Sequence, residues 1–89
     1  MAYTVTLAPA AQRELRAFPA TVQDRLLRRI ADLENDPRPP GVKKLAGEDE
    51  LYRIRVGDYR VIYAIEDAAL TVLVVKVADR KEAYRRGIR

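Results

Sequence analysis

Residues 51–63, LYRIRVGDYRVIY, constrain this chain most. Apolar and polar residues alternate on both sides of Gly57-Asp58, and that pattern predicts a β-hairpin with a two-residue turn. Setting Val56 opposite Tyr59 fixes every other pair: Arg55 faces Arg60, Ile54 faces Val61, Arg53 faces Ile62 and Tyr52 faces Tyr63. Tyr52, Ile54, Val56, Tyr59, Val61 and Tyr63 then share one apolar face, suited to a core. The other face carries Arg53, Arg55 and Arg60. Alternating arginines alone read as ordinary solvated surface. Like charges directly opposite cost roughly 0.2 to 1 kcal/mol, however, so the facing Arg55 and Arg60 mark a cluster that asks for an anion.

At 89 residues the chain has length for one domain, 1–89, with a single small core. It contains no Cys and no His. A disulfide framework, a thiolate zinc site and an imidazole base are therefore all unavailable, and no metal site or cofactor is expected. No apolar run approaches the roughly 20 residues of a membrane span, and the N-terminus lacks the plan of a signal peptide. A cytoplasmic protein with no membrane partner is the expectation. The formal net charge is +4, and its distribution is uneven: residues 1–50 carry 8 Lys plus Arg against 8 Asp plus Glu, and residues 51–89 carry 9 against 5. The excess lies in the hairpin and the residues C-terminal to it, which points to a polyanionic partner there.

Ahead of the hairpin, residues 3–7 alternate with Tyr3, Val5 and Leu7 on one side, as a short strand would. Pro9 suits the first position of a helix, and Ala11, Leu15 and Phe18 form its apolar stripe. Pro19 ends it. Thr21 with Asp24 resembles a capping box opening a second helix, whose stripe is Val22, Leu26, Ile30 and Leu33, widened by Leu27. Arg25, Arg28 and Arg29 read as its solvated flank, able to make sequence-independent phosphate contacts. Residues 36–40, DPRPP, form a stiff connector, and Glu48, Asp49 and Glu50 a solvated loop. After the hairpin, Asp67, Ala68 and Ala69 predict a three-residue turn into a strand over residues 70–77. Its near-continuous apolar run predicts a central position covered on both faces. With Glu66 opposite Leu70, Lys76 would face Arg60 and extend the arginine row. The fold class is α+β: a small antiparallel sheet in a β-α-α-β-β-β meander, packed on an N-terminal helical hairpin.

The segment K-L-x-G-x-x-x-L-Y-R-I-R-x-G-D-Y-R-V-I-Y over residues 44–63, the Val-rich strand and D-R-K-E-A-Y over residues 79–84 resemble the RelE/ParE superfamily of type II toxins. The order of elements is RelE-like throughout. The resemblance implies a ribosome-dependent endoribonuclease, an mRNA interferase that cleaves mRNA in the ribosomal A site. A ribose 2′-OH attacks the adjacent phosphate, leaving a 2′,3′-cyclic phosphate and a 5′-OH, with no metal or cofactor. By motif the catalytic set falls on Arg53, Arg55, Arg60, Arg80 and Tyr84; RNA phosphate binding is expected at Arg53, Arg55, Lys76 and Lys81. The well-known branch has lysines at positions 53 and 55, and many relatives have His at position 79, where this chain has Asp. Arginine stays protonated and is a poor proton acceptor. Slow or weak chemistry carried mainly by positioning and electrostatics is therefore expected, with Tyr84 or ribosomal groups assisting and Lys76, Asp79 and Glu82 as outside candidates for the base. Tyr84 could otherwise stack on an unpaired base. The implied partners are a RelB-like antitoxin, the ribosome with its mRNA, and operator DNA only through the antitoxin complex. Relatives of the same fold inhibit DNA gyrase without cutting RNA, and a degenerate toxin serving only as the antitoxin's partner is the third reading.

Overall fold

In the computed structural model the hairpin forms in the predicted register. Residues 2–45 and 51–79 are described, so the acidic residues Glu48, Asp49 and Glu50 lie outside them. In chain order the elements are β1 (Thr4–Leu7), α1 (Pro9–Arg16), α2 (Ala20–Asp32), β2 (Lys43–Lys44), β3 (Leu51–Val56), β4 (Tyr59–Glu66) and β5 (Thr71–Asp79). The five strands make one sheet in the order β1-β5-β4-β3-β2. The β3-β4-β5 meander is antiparallel, and β1 joins it parallel to β5, making the sheet mixed.

The β3–β4 pairs run from Leu51 with Ala64 to Val56 with Tyr59, and include Arg55 opposite Arg60. Gly57 has φ +62, and no residue of the turn other than this glycine has positive φ. A positive φ at the first central position alone is the type II′ hairpin pattern, which matches the right-handed twist of the strands.

One face of the sheet is buried. Ile54, Val56, Val61, Tyr63, Ile65, Val72, Val74 and Val77 pack with Ala11 and Leu15 of α1 and with Leu26, Ile30 and Leu33 of α2. Each fully buried aliphatic side chain contributes about 1.5 to 3 kcal/mol, so this layer carries most of the stability. Tyr52, Tyr59, Phe18 and Val22 are partly buried against it. The Phe18 and Tyr59 rings meet edge to face with centroids 5.0 Å apart. Leu27 does not widen the stripe of α2: it is 43% exposed.

Four expectations change. The capping box is absent: α2 begins at Ala20 with Pro19 at the N-cap and no side-chain cap bond, and Gln23 instead donates Nε2–H to the Phe18 carbonyl at 2.8 Å. Lys43 and Lys44 form a two-residue edge strand, paired with Arg53 and Tyr52. The third change is in the turn before β5, which includes Leu70, at φ 53. Glu66 therefore pairs with Thr71, and a bulge at Val75 then shifts the register again, so Lys76 lies opposite Ile62 and Arg60 faces Ala78. Lastly, β5 is central but covered on one face, with Leu73 42% exposed on the other.

Lys76 consequently leaves the row of Arg55 and Arg60 for that of Arg53 and Ile62. Its Nζ lies 3.1 Å from Glu14 Oε2, and Glu14 Oε1 accepts the Val77 N–H at 2.8 Å, tying α1 to the end of β5 where β1 no longer pairs. The connector is held equally firmly. Tyr63, fully buried, donates its hydroxyl to the Pro37 carbonyl at 2.7 Å, and burial pushes its phenol up to about 12. Arg38 bonds both oxygens of Asp67, at 3.2 and 2.9 Å, and lies 5.1 Å from the centre of the Tyr52 ring. Tyr3 adds an O–H bond to Asp67 at 2.7 Å. Strand β1, the connector and the β4–β5 turn are thereby clasped together.

Candidate functional site

The sheet's second face, turned away from the helices, carries the charge. Because cross-strand partners share a face, Lys43, Arg53 and Ile62 form one row across β2, β3 and β4, and Arg55 with Arg60 the next row. Val56 and Tyr59 close the hairpin, so Arg55 and Arg60 occupy a non-hydrogen-bonded pair, the closer of the two antiparallel spacings. Arg60 is also diagonal to Arg53, within reach of a long side chain. The three guanidiniums therefore converge at the hairpin end of the open face.

Their electrostatics reflect that placement. Burial, then Arg60, then Arg55 lower the pKa of Arg53 from the usual arginine value. It remains a cation, held against the cost of partial burial and two like charges. Its Nε is buried with no hydrogen-bond partner among the described residues. A buried donor without an acceptor is rare, because the desolvation of that group is then uncompensated. An anion entering the cluster would meet the field of all three arginines at once, and a shift of the Arg53 side chain would bring its Nε to that anion in the fork geometry that suits a phosphate.

Two cations that helical and strand periodicity did not place here adjoin the cluster. Lys43 stands directly opposite Arg53. Arg29, read from the sequence as solvated flank, lines a groove of about 350 Å³ together with Pro40, Gly41, Lys43, Arg53, Ile54 and Arg55. Lys43 could have been found had residues 43–44 been recognised as a short strand. Nothing in the helical periodicity of α2 singles out Arg29. Arg25 also reaches the hairpin: a Cβ built at Gly57 would lie 2.5 Å from its Nη1. Arg53, Arg55 and Arg60 are thus brought together as expected, whereas Lys76 is drawn to Glu14. Arg80, Lys81 and Tyr84 lie outside the described residues. Among the described residues no cluster of three or more Asp, Glu, His or Cys could hold a metal ion, and no helix is long and apolar enough to cross a membrane.

A helix pair on one face of a small mixed sheet, with clustered arginines on the other, defines a small α+β anion-binding class, and comparison with known proteins identifies the family. Residues 5–84 match the family of the ParE toxin of the type II toxin-antitoxin system parDE. The chain belongs to this RelE/ParE family of type II toxin-antitoxin toxins. It is 32% identical to the toxin RelG of Mycobacterium tuberculosis over 97% of this chain and 100% of that one. It is 28% identical to the mRNA interferase toxin RelE of Escherichia coli, over 100% of this chain and 97% of that one. Among solved structures, an archaeal RelE-RelB complex from Pyrococcus horikoshii matches with a TM-score of 0.79 and 33% identity, covering 90% of this chain and 97% of that one.

Proposed function

We propose that this toxin cleaves mRNA in the ribosomal A site by metal-independent attack of a ribose 2′-OH on the adjacent phosphodiester. The observation that carries the reading is the buried, unpartnered Nε of Arg53 within the Arg53, Arg55 and Arg60 cluster. As the 2′-oxygen bonds to phosphorus, negative charge builds on the non-bridging oxygens. Guanidiniums already gathered on one face stabilise that charge, and one such donor contact is worth about 10²- to 10³-fold in rate. None of the three can take the 2′-OH proton, since an arginine remains protonated at any working pH. That proton passes to Tyr84 or to a ribosomal group. The P–O5′ bond breaks as the O2′–P bond forms, and the leaving 5′-oxygen takes a proton from water or a ribosomal group to end as the 5′-OH. Arg80 adds a further cation, as the family resemblance implies for Tyr84 and Arg80. The similarity to the mRNA interferase RelE supports the same chemistry.

A RelB-like antitoxin is the proposed partner, in keeping with the solved RelE-RelB complexes that this chain resembles. Covering the open face would remove the cluster from RNA, and operator DNA would be reached only through that complex. The match to ParE favours one other reading, inhibition of DNA gyrase without RNA cleavage. Cell-free translation separates the two. The nuclease reading expects breaks only in message that is being translated, with 2′,3′-cyclic phosphate and 5′-OH ends. Intact message together with gyrase-dependent double-strand DNA breaks would replace it with the second.

A further inference from the structure

The cationic surface continues round the edge of the sheet. Strand β2 pairs with β3 only at Tyr52 and Arg53, so among the described residues no strand covers that edge of β3 beyond Arg53. The groove lined by Arg29, Lys43, Arg53 and Arg55 lies there, and none of its described lining residues is acidic. Its backbone contributes as well. With Val56 and Tyr59 as the hydrogen-bonded closing pair, the alternation of an antiparallel ladder turns the Arg55 N–H away from β4, toward the edge that β2 leaves uncovered. A concave site with a main-chain donor and cations from three elements has the chemistry of a phosphate cradle.

We propose that Arg29 and Lys43 form a second phosphate subsite for single-stranded RNA. It holds a phosphodiester next to the one at the Arg53, Arg55 and Arg60 cluster. Lys43 stands one strand spacing, about 4.8 Å, from Arg53, so RNA crossing the open face and passing round the edge of β3 meets both sites in turn. Arg29 reaches the groove from α2, on the other side of that edge. The subsite contributes affinity and direction to the bound strand, and it rests on the nuclease reading above.

The test is the salt dependence of binding of the full chain to a single-stranded RNA oligonucleotide and, separately, to vacant ribosomes. Each lost phosphate contact lowers the slope of log affinity against log salt by about 0.7 for a single strand. Arg29→Gln and Lys43→Gln are each expected to lower it by about that amount, so that the affinity lost between about 50 and 200 mM salt shrinks roughly 2.6-fold. Arg13→Gln, an exposed change on α1 outside the groove, should leave it unchanged. An effect on the oligonucleotide places message in the groove, and an effect on ribosomes alone places ribosomal RNA there. The subsite is overturned if Arg29→Gln and Lys43→Gln match wild type, or if Arg13→Gln does the same as they do. Failure of wild type to bind or cut RNA at all is a different result, and removes the nuclease reading itself.

Discussion

Replacing Arg53 with Met is expected to stabilise the fold while disabling the toxin. Met keeps much of the apolar stem and deletes the guanidinium, whose Nε is buried without a partner. A buried unsatisfied donor costs about 1 to 3 kcal/mol. Repulsion from Arg55 and Arg60 adds roughly 0.2 to 1 kcal/mol for each close neighbour. Arg53 is only partly buried, so water offsets a share of both, and the low end applies: a net gain of about 1 kcal/mol, or roughly 4 to 8 °C in Tm for a domain of this size. Urea unfolding of wild type, Arg53→Met and Arg53→Lys would measure it. The advantage of the Met variant should shrink in about 1 M salt, where the screening length falls to about 3 Å. If Arg53→Met were less stable than wild type by about 1 kcal/mol or more, the premise of a cluster held at a cost for an absent anion would be wrong.

Three further outcomes rest on the same kind of contact. Glu14→Ala strands the Val77 N–H and frees Lys76, and should cost about 1 to 3 kcal/mol in urea unfolding, with Glu14→Gln retaining part of it. The Arg38 and Tyr3 hydrogen bonds hold the Asp67 carboxyl below its usual value. Stability from that shift is present above the unfolded value of about 4 and is lost as pH falls through the folded one. Asp67→Asn should therefore be less stable than wild type at neutral pH, with the gap closing in acid unfolding curves. Gly57→Ala forces a Cβ into a positive-φ turn against Arg25, and should cost about 1 to 2 kcal/mol in thermal unfolding.

The hairpin was legible because a two-residue turn and a period-two pattern determine register between them, and the observed pairs from Tyr52–Tyr63 to Val56–Tyr59 agree residue by residue. Beyond it, register depends on turn conformation. Leu70 at φ 53 and the bulge at Val75 each move β5 by one residue, and neither leaves a mark in an apolar run of this kind. Lys76 therefore faces Ile62, where an unshifted register would set it opposite Arg60. That Arg53, Arg55 and Arg60 share one face follows from strand alternation alone. Lys43 was missed because two residues are too short for a periodic signal, and Arg29 because only tertiary packing brings α2 to the edge of β3. The clasp of Arg38, Asp67, Tyr52 and Tyr3 joins residues up to 64 positions apart, and composition gives no hint of it.

The central claim is that the arginines of the open face stabilise charge on a scissile phosphate. Its most direct test is the single-turnover cleavage rate of a translated message with saturating toxin, comparing wild type with Arg60→Gln, a change far from the core layer. A fall of about 10²-fold or more with the cleavage positions unchanged is the predicted result. A rate within a few-fold of wild type would contradict it.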